Sequence, residues 1–377
     1  MEKRAIVLFI LVSVLAFSPA AWGAEPEDFF KAGMKAAGAG DYERAVAAMR
    51  RAVSMRDDYP EAHFNLGVAL SGLKRFGEAA ESYRRTTELK PSYAPAWDGL
   101  GIASRELKQF DEAEAAFLKA AETDSKYWVP HYNLGDLYAA LGKNDRAIDS
   151  LKHAADLSPR SMEPRLRLGA LYASVKQYEK ALPQFEEAGS LRPDIPEIPY
   201  SEGVCHAELQ DQEKAVAAFR RAVKLRPVYP LAWYNLGVSL FSLNRPEEAA
   251  EAFEKTVEQA PDYPYGHNNL ARAYLGLNRV AEAKEAALEA VRLMPEFAMA
   301  HSNLGFCFIG EKKYPEAEKS FSEALRLAPG YGDAHYGRGV AYGGMGKKDK
   351  LFKEAEILRK IDPEKADRLE AIASGIK

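Results

Sequence analysis

Histidines are the first residues here that could do chemistry, because imidazole binds transition metals and transfers protons near neutral pH. Five of the seven are separated by whole multiples of 34 residues: His63, His131, His267, His301 and His335. Residues one or more repeat lengths apart along a stack of units cannot converge on one ion, which needs three or four ligands within bonding distance. The spacing therefore predicts a repeat rather than a metal site.

Cysteine chemistry is limited to two residues, Cys205 and Cys307, which lie 102 residues, or three repeat lengths, apart. Repeats of a stacked protein touch their neighbours but not their third neighbours, so no disulfide is expected between them. Both residues are expected to be small buried side chains on inward-packing helices.

Motifs of common enzymes are missing from the sequence, which has no Gly-x-Ser-x-Gly elbow, no His-Glu-x-x-His pair and no phosphate-binding loop. The carboxylates recur in phase with the repeat on polar faces. We therefore expect no catalytic residues, no cofactor and no enzymatic activity.

The repeat itself is regular over most of the chain. A 34-residue frame runs from Pro26 to Lys365 without insertion or deletion. Its ten repeats, numbered 1 to 10 below, begin at residues 26, 60, 94, 128, 162, 196, 230, 264, 298 and 332. Position 8 of the repeat is glycine nine times, position 20 is alanine nine times and position 32 is proline eight times.

Two helices per repeat explain this pattern. Positions 4, 7, 8 and 11 fall on one face of a first helix, with glycine where a second helix crosses closely. A turn is expected near position 15. The second helix then presents small residues at positions 20 and 27 and an aromatic residue at position 24, and it stops near the proline at position 32.

Repeat 7 shows the pattern most completely, with Trp233, Leu236, Gly237, Ala249 and Phe253 followed by Pro261. This arrangement resembles the tetratricopeptide-repeat (TPR) family, and the resemblance covers about 90% of the chain. It implies an all-α fold, a right-handed superhelical solenoid of about ten helix-turn-helix units that spans residues 26–363. Residues 364–377, with Leu369 and Ile372 on one side, are expected to form a capping helix.

The first helices of such a solenoid line its concave groove, and positions 2, 6, 9 and 13 face that groove. Position 6 carries a ladder of asparagines: Asn65, Asn133, Asn235, Asn269 and Asn303. Their amides could pair with the backbone of an extended peptide. The alternative is that asparagine at this position helps the helices to pack. Under the first hypothesis, triple replacement of Asn235, Asn269 and Asn303 by Ala weakens partner binding and leaves the melting temperature nearly unchanged.

Apolar residues flank the ladder and complete the candidate peptide-binding site: Phe64, Tyr132, Tyr200, Tyr234 and Val238. Exposed aromatic and aliphatic side chains of this kind mark interaction surfaces. Alternatively, these side chains are partly buried between adjacent first helices. The carboxylate clamp of chaperone-binding TPR proteins is not expected, because position 5 never carries Lys or Arg.

The junction of repeats 5 and 6 departs from the pattern. Pro183 falls inside a second helix, Pro199 lies at the start of the next first helix, and Glu202 replaces a leucine. Proline in a helix interior costs about 3 kcal/mol, so a kink or hinge is one interpretation. Ordinary drift of one repeat is the other.

The N-terminus resembles a secretory signal peptide. Lys3 and Arg4 precede an apolar run from Ala5 to Phe17, and small residues follow up to Ala24. The run is short for a membrane span, so cleavage near residues 23 and 24 is expected, with an uncleaved membrane anchor as the alternative. Membrane contact is expected only if this segment is retained.

Net charge argues against nucleic-acid binding, since the chain carries −4 and lacks a basic stripe. The sequence therefore predicts a periplasmic or secreted scaffold that binds a protein or peptide, with a possible role in envelope assembly, export or secretion. The alternatives are a structural spacer, a self-associating solenoid, or a non-catalytic subunit of a transferase or polysaccharide-export complex.

Overall fold

The computed structural model describes residues 25–375, which form 21 helices and no strand. The predicted all-α repeat fold is confirmed. The expected signal segment, residues 1–24, lies outside the described residues, as do the last two residues of the expected capping segment. Within residues 25–375, no helix combines the length and the apolar character needed to cross a bilayer.

The chain divides into two compact units at Pro159 and Arg160. The N-terminal unit contains α1 Pro26–Gly38, α2 Tyr42–Met55, α3 Pro60–Gly72, α4 Phe76–Leu89, α5 Ala94–Glu106, α6 Phe110–Thr123, α7 Val129–Ala140 and α8 Asn144–Leu157. The C-terminal unit contains α9 Met162–Ser174, α10 Tyr178–Leu191, α11 Glu197–Glu208, α12 Gln212–Leu225, α13 Pro230–Ser242, α14 Pro246–Gln259, α15 Pro264–Gly276, α16 Val280–Leu293, α17 Ala298–Gly310, α18 Tyr314–Leu327, α19 Gly332–Gly344, α20 Lys348–Ile361 and α21 Pro363–Ser374.

Odd-numbered helices up to α19 are the first helices of the ten repeats, and the even-numbered helices are the second helices. Eight first helices begin where the 34-residue frame begins, and α7 and α11 begin one residue later. In each compact unit, every first helix packs on its own second helix and on the first helix of the next repeat, while each second helix also packs on the first helix that follows it. The first helices therefore lie side by side and form one face of each unit.

Position 8 glycines allow the two helices of a repeat to approach closely. A Cβ added at Gly101 would stand 2.5 Å from Phe117 Cδ1, and one added at Gly237 would stand 2.6 Å from Phe253 Cε1. Both phenylalanines come from position 24 and are buried. Repeat 8 has Ala271 and Ala287 at these two positions, and both are buried, so a larger residue at position 8 is matched by a smaller one at position 24.

The turn inside each repeat centres on position 15, which has a left-handed backbone in all ten repeats. Three of these residues are glycines, and seven are Lys, Gln or Asn, such as Lys74 with φ 58°. Arg75 N–H donates to the Leu70 carbonyl and Lys74 N–H to the Ser71 carbonyl, which is the Schellman arrangement that closes a helix C-terminus.

Helix α21 covers the end of the C-terminal unit by packing on α19 and α20. Repeat 10 has the small Ala355 at position 24, and Leu369 of α21 instead contacts Gly339, in the place that an aromatic ring takes in other repeats. Leu369 is fully buried, whereas Ile372, which was expected beside it, is 36% exposed. The reason is the helical period: Ala366, Leu369 and Ala373 form the buried face, and Ile372 falls outside it.

Helix α10 continues through Pro183 without interruption, and the division between compact units lies at residue 159 rather than at the junction of repeats 5 and 6. Cys205 and Cys307 are both buried and free. Burial raises the pKa of the Cys205 thiol to about 11 and that of the Cys307 thiol to about 12.

Candidate functional site

The position 6 asparagines are engaged in hydrogen bonds between repeats. Asn133 Nδ2 donates to Asp98 Oδ1 at 2.8 Å. Asn235 Nδ2 donates to Tyr200 Oη at 3.2 Å, and Asn269 Nδ2 donates to Tyr234 Oη at 3.1 Å. Each acceptor occupies position 5 of the preceding repeat, so the amides fasten neighbouring first helices together.

The two end members of the ladder differ from this geometry in detail. Asn303 Nδ2 donates to both the side-chain oxygen and the backbone carbonyl of Asn268, at 2.9 and 3.2 Å. Asn65 Nδ2 donates within its own helix to the Glu61 carbonyl at 2.8 Å. Four of the five asparagines therefore help neighbouring helices to pack, which was the alternative interpretation of the ladder.

Burial decides which amides a ligand could reach. Asn133 and Asn303 are only 8% and 9% exposed, so they offer little surface to a peptide. Asn235 and Asn269, in neighbouring repeats of the C-terminal unit, are half-buried, and each keeps a second N–H. Asn65 of the N-terminal unit is also half-buried, so this pair is the accessible part of the ladder within the C-terminal unit.

Tyrosines at position 5 line the same face of the C-terminal unit. Tyr200 lies 5.1 Å from Tyr229 and 5.9 Å from Phe219, measured between ring centroids. Tyr234 lies 5.3 Å from Tyr263 in an edge-to-face arrangement. Burial raises the pKa of both Tyr200 and Tyr234, so their hydroxyls stay neutral. Both rings are half-buried.

Val238 is the exposed apolar residue between these amides, with 37% of its surface accessible. A cavity of about 260 Å³ lies on one side of it, lined also by Val204, Phe219 and Asn235. A smaller cavity of about 70 Å³ lies on the other side, between Val238, Asn269 and residues of α13 and α15. Tyr200, Tyr234, Asn235, Asn269 and Val238 thus belong to one surface, which we call the α11–α15 groove.

Two residues of the α11–α15 groove were not predicted as site residues. Phe241 lines the smaller cavity, and the Arg272 guanidinium stacks over its ring, 4.5 Å from the centroid. Position 12, where Phe241 lies, is occupied by a small residue in most other repeats. The large ring at position 12 is therefore the feature of the sequence that could have identified Phe241 as a site residue.

The remaining candidates, Phe64, Asn65, Tyr132 and Asn133, lie in the N-terminal unit. Phe64 contacts Tyr93 edge to face at 5.1 Å, and Tyr132 contacts Trp128 at 6.0 Å. The partner of Asn133 there was not expected: the buried carboxylate of Asp98 accepts hydrogen bonds from both Asn133 and Tyr127. Desolvation raises the pKa of Asp98 to about 6, against the hydrogen bonds from Asn133 and Tyr127, which lower it.

Four of the five histidines at position 4 hydrogen-bond to the backbone. The Nε2 atoms of His63, His267, His301 and His335 lie 2.8 to 3.0 Å from the carbonyl oxygen six residues earlier. The indole N–H groups of Trp97 and Trp233 make the same contact at 2.9 Å. Across residues 25–375, no group of three potential metal ligands converges.

Comparison with known families agrees with this architecture. A model described as the C-terminal domain of cilia and flagella-associated protein 70, which is itself a TPR domain, matches residues 119–339, more than half of the chain. A tetratricopeptide-repeat model matches residues 30–94 and 69–127. The chain belongs to the TPR family. No curated protein matches this TPR chain.

Solved structures that are similar to the TPR chain are also repeat proteins. YrrB, described as a TPR protein with an unusual peptide-binding site, is 26% identical over 50% of this chain and 97% of its own, with a TM-score of 0.42. MamA from Desulfovibrio magneticus RS-1 is 26% identical over 45% of this chain and 96% of its own, with a TM-score of 0.43. The Cut9–Hcn1 structure is 14% identical over 93% of this chain and 90% of its own, with a TM-score of 0.48.

Proposed function

We propose that this TPR protein is a scaffold that binds an extended segment of a partner protein in the α11–α15 groove. The observation that carries the proposal is the pair of cavities on either side of Val238, each bordered by a position 6 asparagine. Val238 and Phe241 offer apolar contact, while the second N–H and the carbonyl oxygen of Asn235 are available to a peptide backbone.

The second half of the proposal concerns location. A charged start, a 13-residue apolar run and a small-residue segment in residues 1–24 support export, with the scaffold acting in the periplasm or outside the cell. Envelope assembly, export or secretion would supply such a partner. N-terminal sequencing of the mature protein tests this part, because a chain that still begins at Met1 would contradict cleavage.

Site-specific photocrosslinking tests the binding surface. A photoreactive phenylalanine analogue at position 238 should capture a partner in intact cells, and mass spectrometry should identify the captured segment. The same analogue at Leu288 is the matched control, since this second-helix residue is 47% exposed and lies away from the groove. Equal capture from both positions would contradict a groove-specific partner.

A binding assay with purified components then shows whether the captured segment binds the chain directly or only lies near it in the cell. A synthetic peptide of the captured segment should bind the full chain, and Val238→Asp should weaken its affinity by about tenfold or more, because a charge would replace apolar contact. If the peptide does not bind, and the chain instead associates with itself as concentration rises, the self-associating alternative is correct.

A further inference from the structure

A separate cleft of about 660 Å³ lies at the junction of repeats 5 and 6, between the second helices α10 and α12. Its lining includes Gly189, Pro193, Pro199 and Glu202. None of these residues belongs to the α11–α15 groove. The cleft exists because three positions of the repeat depart from their usual residues at one place.

The first departure is the absence of an aromatic ring at position 4. In six other repeats, position 4 carries a Trp or His whose ring nitrogen hydrogen-bonds to the carbonyl at position 32 of the preceding repeat. Repeat 6 has Pro199 at that position. The Pro193 carbonyl, which is the equivalent acceptor, accepts no hydrogen bond from any residue in the described part of the chain.

The second departure is the absence of a side chain at position 28. Position 28 is Val, Thr, Ala, Leu or Arg in the other repeats and Gly189 here. A Cβ at Gly189 would stand 3.3 Å from Ile198 Cγ2 and 3.8 Å from Glu202 Oε1, so any side chain would project into the cleft. The corresponding cleft beside Thr87 and Trp97 in the N-terminal unit is about 370 Å³.

The third departure adds a buried acceptor. Glu202 occupies a position that is leucine in seven repeats, and it is only 5% exposed. Arg221 donates to Oε2, while Oε1 accepts no hydrogen bond from the residues that the structure describes. The Arg221 guanidinium holds this carboxylate, so Glu202 gives the cleft a polar wall where other repeats present a leucine.

We propose that this cleft binds an indole ring, which replaces the side chain missing from repeat 6 and donates its N–H to the Pro193 carbonyl. Ile198, Pro199 and Leu225 supply apolar walls. Lys224 also lines the cleft, and its ammonium group attracts the electron-rich face of an indole ring. The indole comes either as a small molecule or as the tryptophan side chain of a partner.

Fluorine NMR of 5-fluoroindole titrated with the full chain tests this site. Saturable binding with one site per chain is expected. Pro199→Trp restores the internal ring found at Trp97 and Trp233, so it should weaken binding at least about tenfold without lowering the melting temperature. No binding to the natural chain, or equal binding to a folded Pro199→Trp variant, overturns the proposal.

A second variant keeps the test decisive if Pro199→Trp does not fold. Gly189→Val fills the cleft from the opposite wall, and Val223 and Val257 occupy the equivalent position in the next two repeats. It should also weaken binding. Val238→Asp in the α11–α15 groove should leave 5-fluoroindole binding unchanged, and a loss in that variant would place the ring in the groove and overturn the assignment.

A second probe distinguishes the two sources of the indole ring. N-acetyl-5-fluorotryptophanamide carries the backbone groups of a tryptophan residue. Affinity equal to or above that of 5-fluoroindole supports a partner side chain, whereas binding of free 5-fluoroindole alone supports a small molecule. These results do not depend on whether a peptide occupies the α11–α15 groove.

Discussion

Single polar residues join the first helices of this protein. The side chain at position 6 reaches back to position 5 of the preceding repeat, as in the contacts of Asn133 with Asp98 and of Asn235 with Tyr200. A buried hydrogen bond contributes about 1 kcal/mol, and leaving one partner unsatisfied costs more. These residues therefore fix the spacing and register of neighbouring repeats as well as shaping the face that a ligand would meet.

Asp98→Asn should change the pH dependence of stability. The pKa of Asp98 is raised from 3.8 to about 6 by desolvation, so the folded protein binds this proton more tightly than the unfolded chain does. The contribution of Asp98 to stability is therefore greatest below pH 4 and is lost as the pH rises through about 6. Asn does not titrate, so the variant lacks this loss, which amounts to about 3 kcal/mol.

Urea unfolding at pH 4 and pH 7 measures the effect of Asp98→Asn. The variant should gain stability relative to the natural chain as the pH rises. Asp156→Asn, at an exposed position of α8, is the control and should show no such gain. Parallel pH profiles for Asp98→Asn and the natural chain would contradict the buried, raised-pKa carboxyl.

Triple replacement of Asn235, Asn269 and Asn303 by Ala should lower stability, contrary to the expectation from sequence that melting would be nearly unchanged. Each substitution removes a hydrogen bond between repeats, so the total loss should be about 2 to 4 kcal/mol. Thermal unfolding measures it. Asn65→Ala breaks only a bond within α3 and should cost less; an equal cost per residue would contradict the inter-repeat role.

At the scale of elements, the turn between the two helices recurs with one backbone shape and several residue types. Seven non-glycine residues adopt positive φ at position 15. This conformation costs a residue with a Cβ about 1 kcal/mol relative to glycine. The Schellman hydrogen bonds nevertheless hold the backbone at position 15 in this conformation in residues other than glycine.

Opposite substitutions at two equivalent turns test this strain. Lys108 has φ 61°, so Lys108→Gly should stabilise the N-terminal unit by about 1 kcal/mol. Gly142 has φ 70°, and a Cβ there would meet no atom within 4 Å. Gly142→Ala should destabilise by a similar amount through the backbone alone. Chemical unfolding measures both, and a loss of stability in Lys108→Gly would be the contrary result.

At the scale of the whole molecule, stability depends on contacts between neighbours. A repeat protein behaves approximately as a sum of repeat and interface terms, and its terminal repeats need a cover. Helix α21 provides that cover at the C-terminal end by placing Leu369 against Gly339. The cover differs from a repeat in sequence but fills the same volume.

Leu369→Ala should therefore loosen the last repeat first. Removal of this fully buried side chain should cost about 2 to 4 kcal/mol. Hydrogen exchange should accelerate in α19 to α21 and stay unchanged in the N-terminal unit. Ile372→Ala, at a position that is 36% exposed, is the control and should have a small effect. Uniform acceleration along the chain would contradict local unfolding.

Sequence periodicity predicted the helices well because each repeat restates the same constraints: glycine at position 8, a large side chain at position 24 and a turn at position 15. It could not predict contacts such as Asn235 with Tyr200, since these depend on the register of adjacent first helices. The same holds for the cleft beside Glu202. Pro199 and Glu202 stood out in the sequence as irregular, but only the packing shows that they and Gly189 surround one volume.

Burial of both native thiols has a practical consequence. Alkylating reagents and oxidants react with thiolates, and thiols with pKa values of about 11 and 12 are almost entirely protonated at neutral pH. Cys205 and Cys307 should therefore not react with maleimide dyes while the protein is folded. A cysteine introduced on any exposed helix face can carry a fluorophore or spin label without removal of the native pair, and the appearance of two further reactive thiols then reports unfolding of the C-terminal unit.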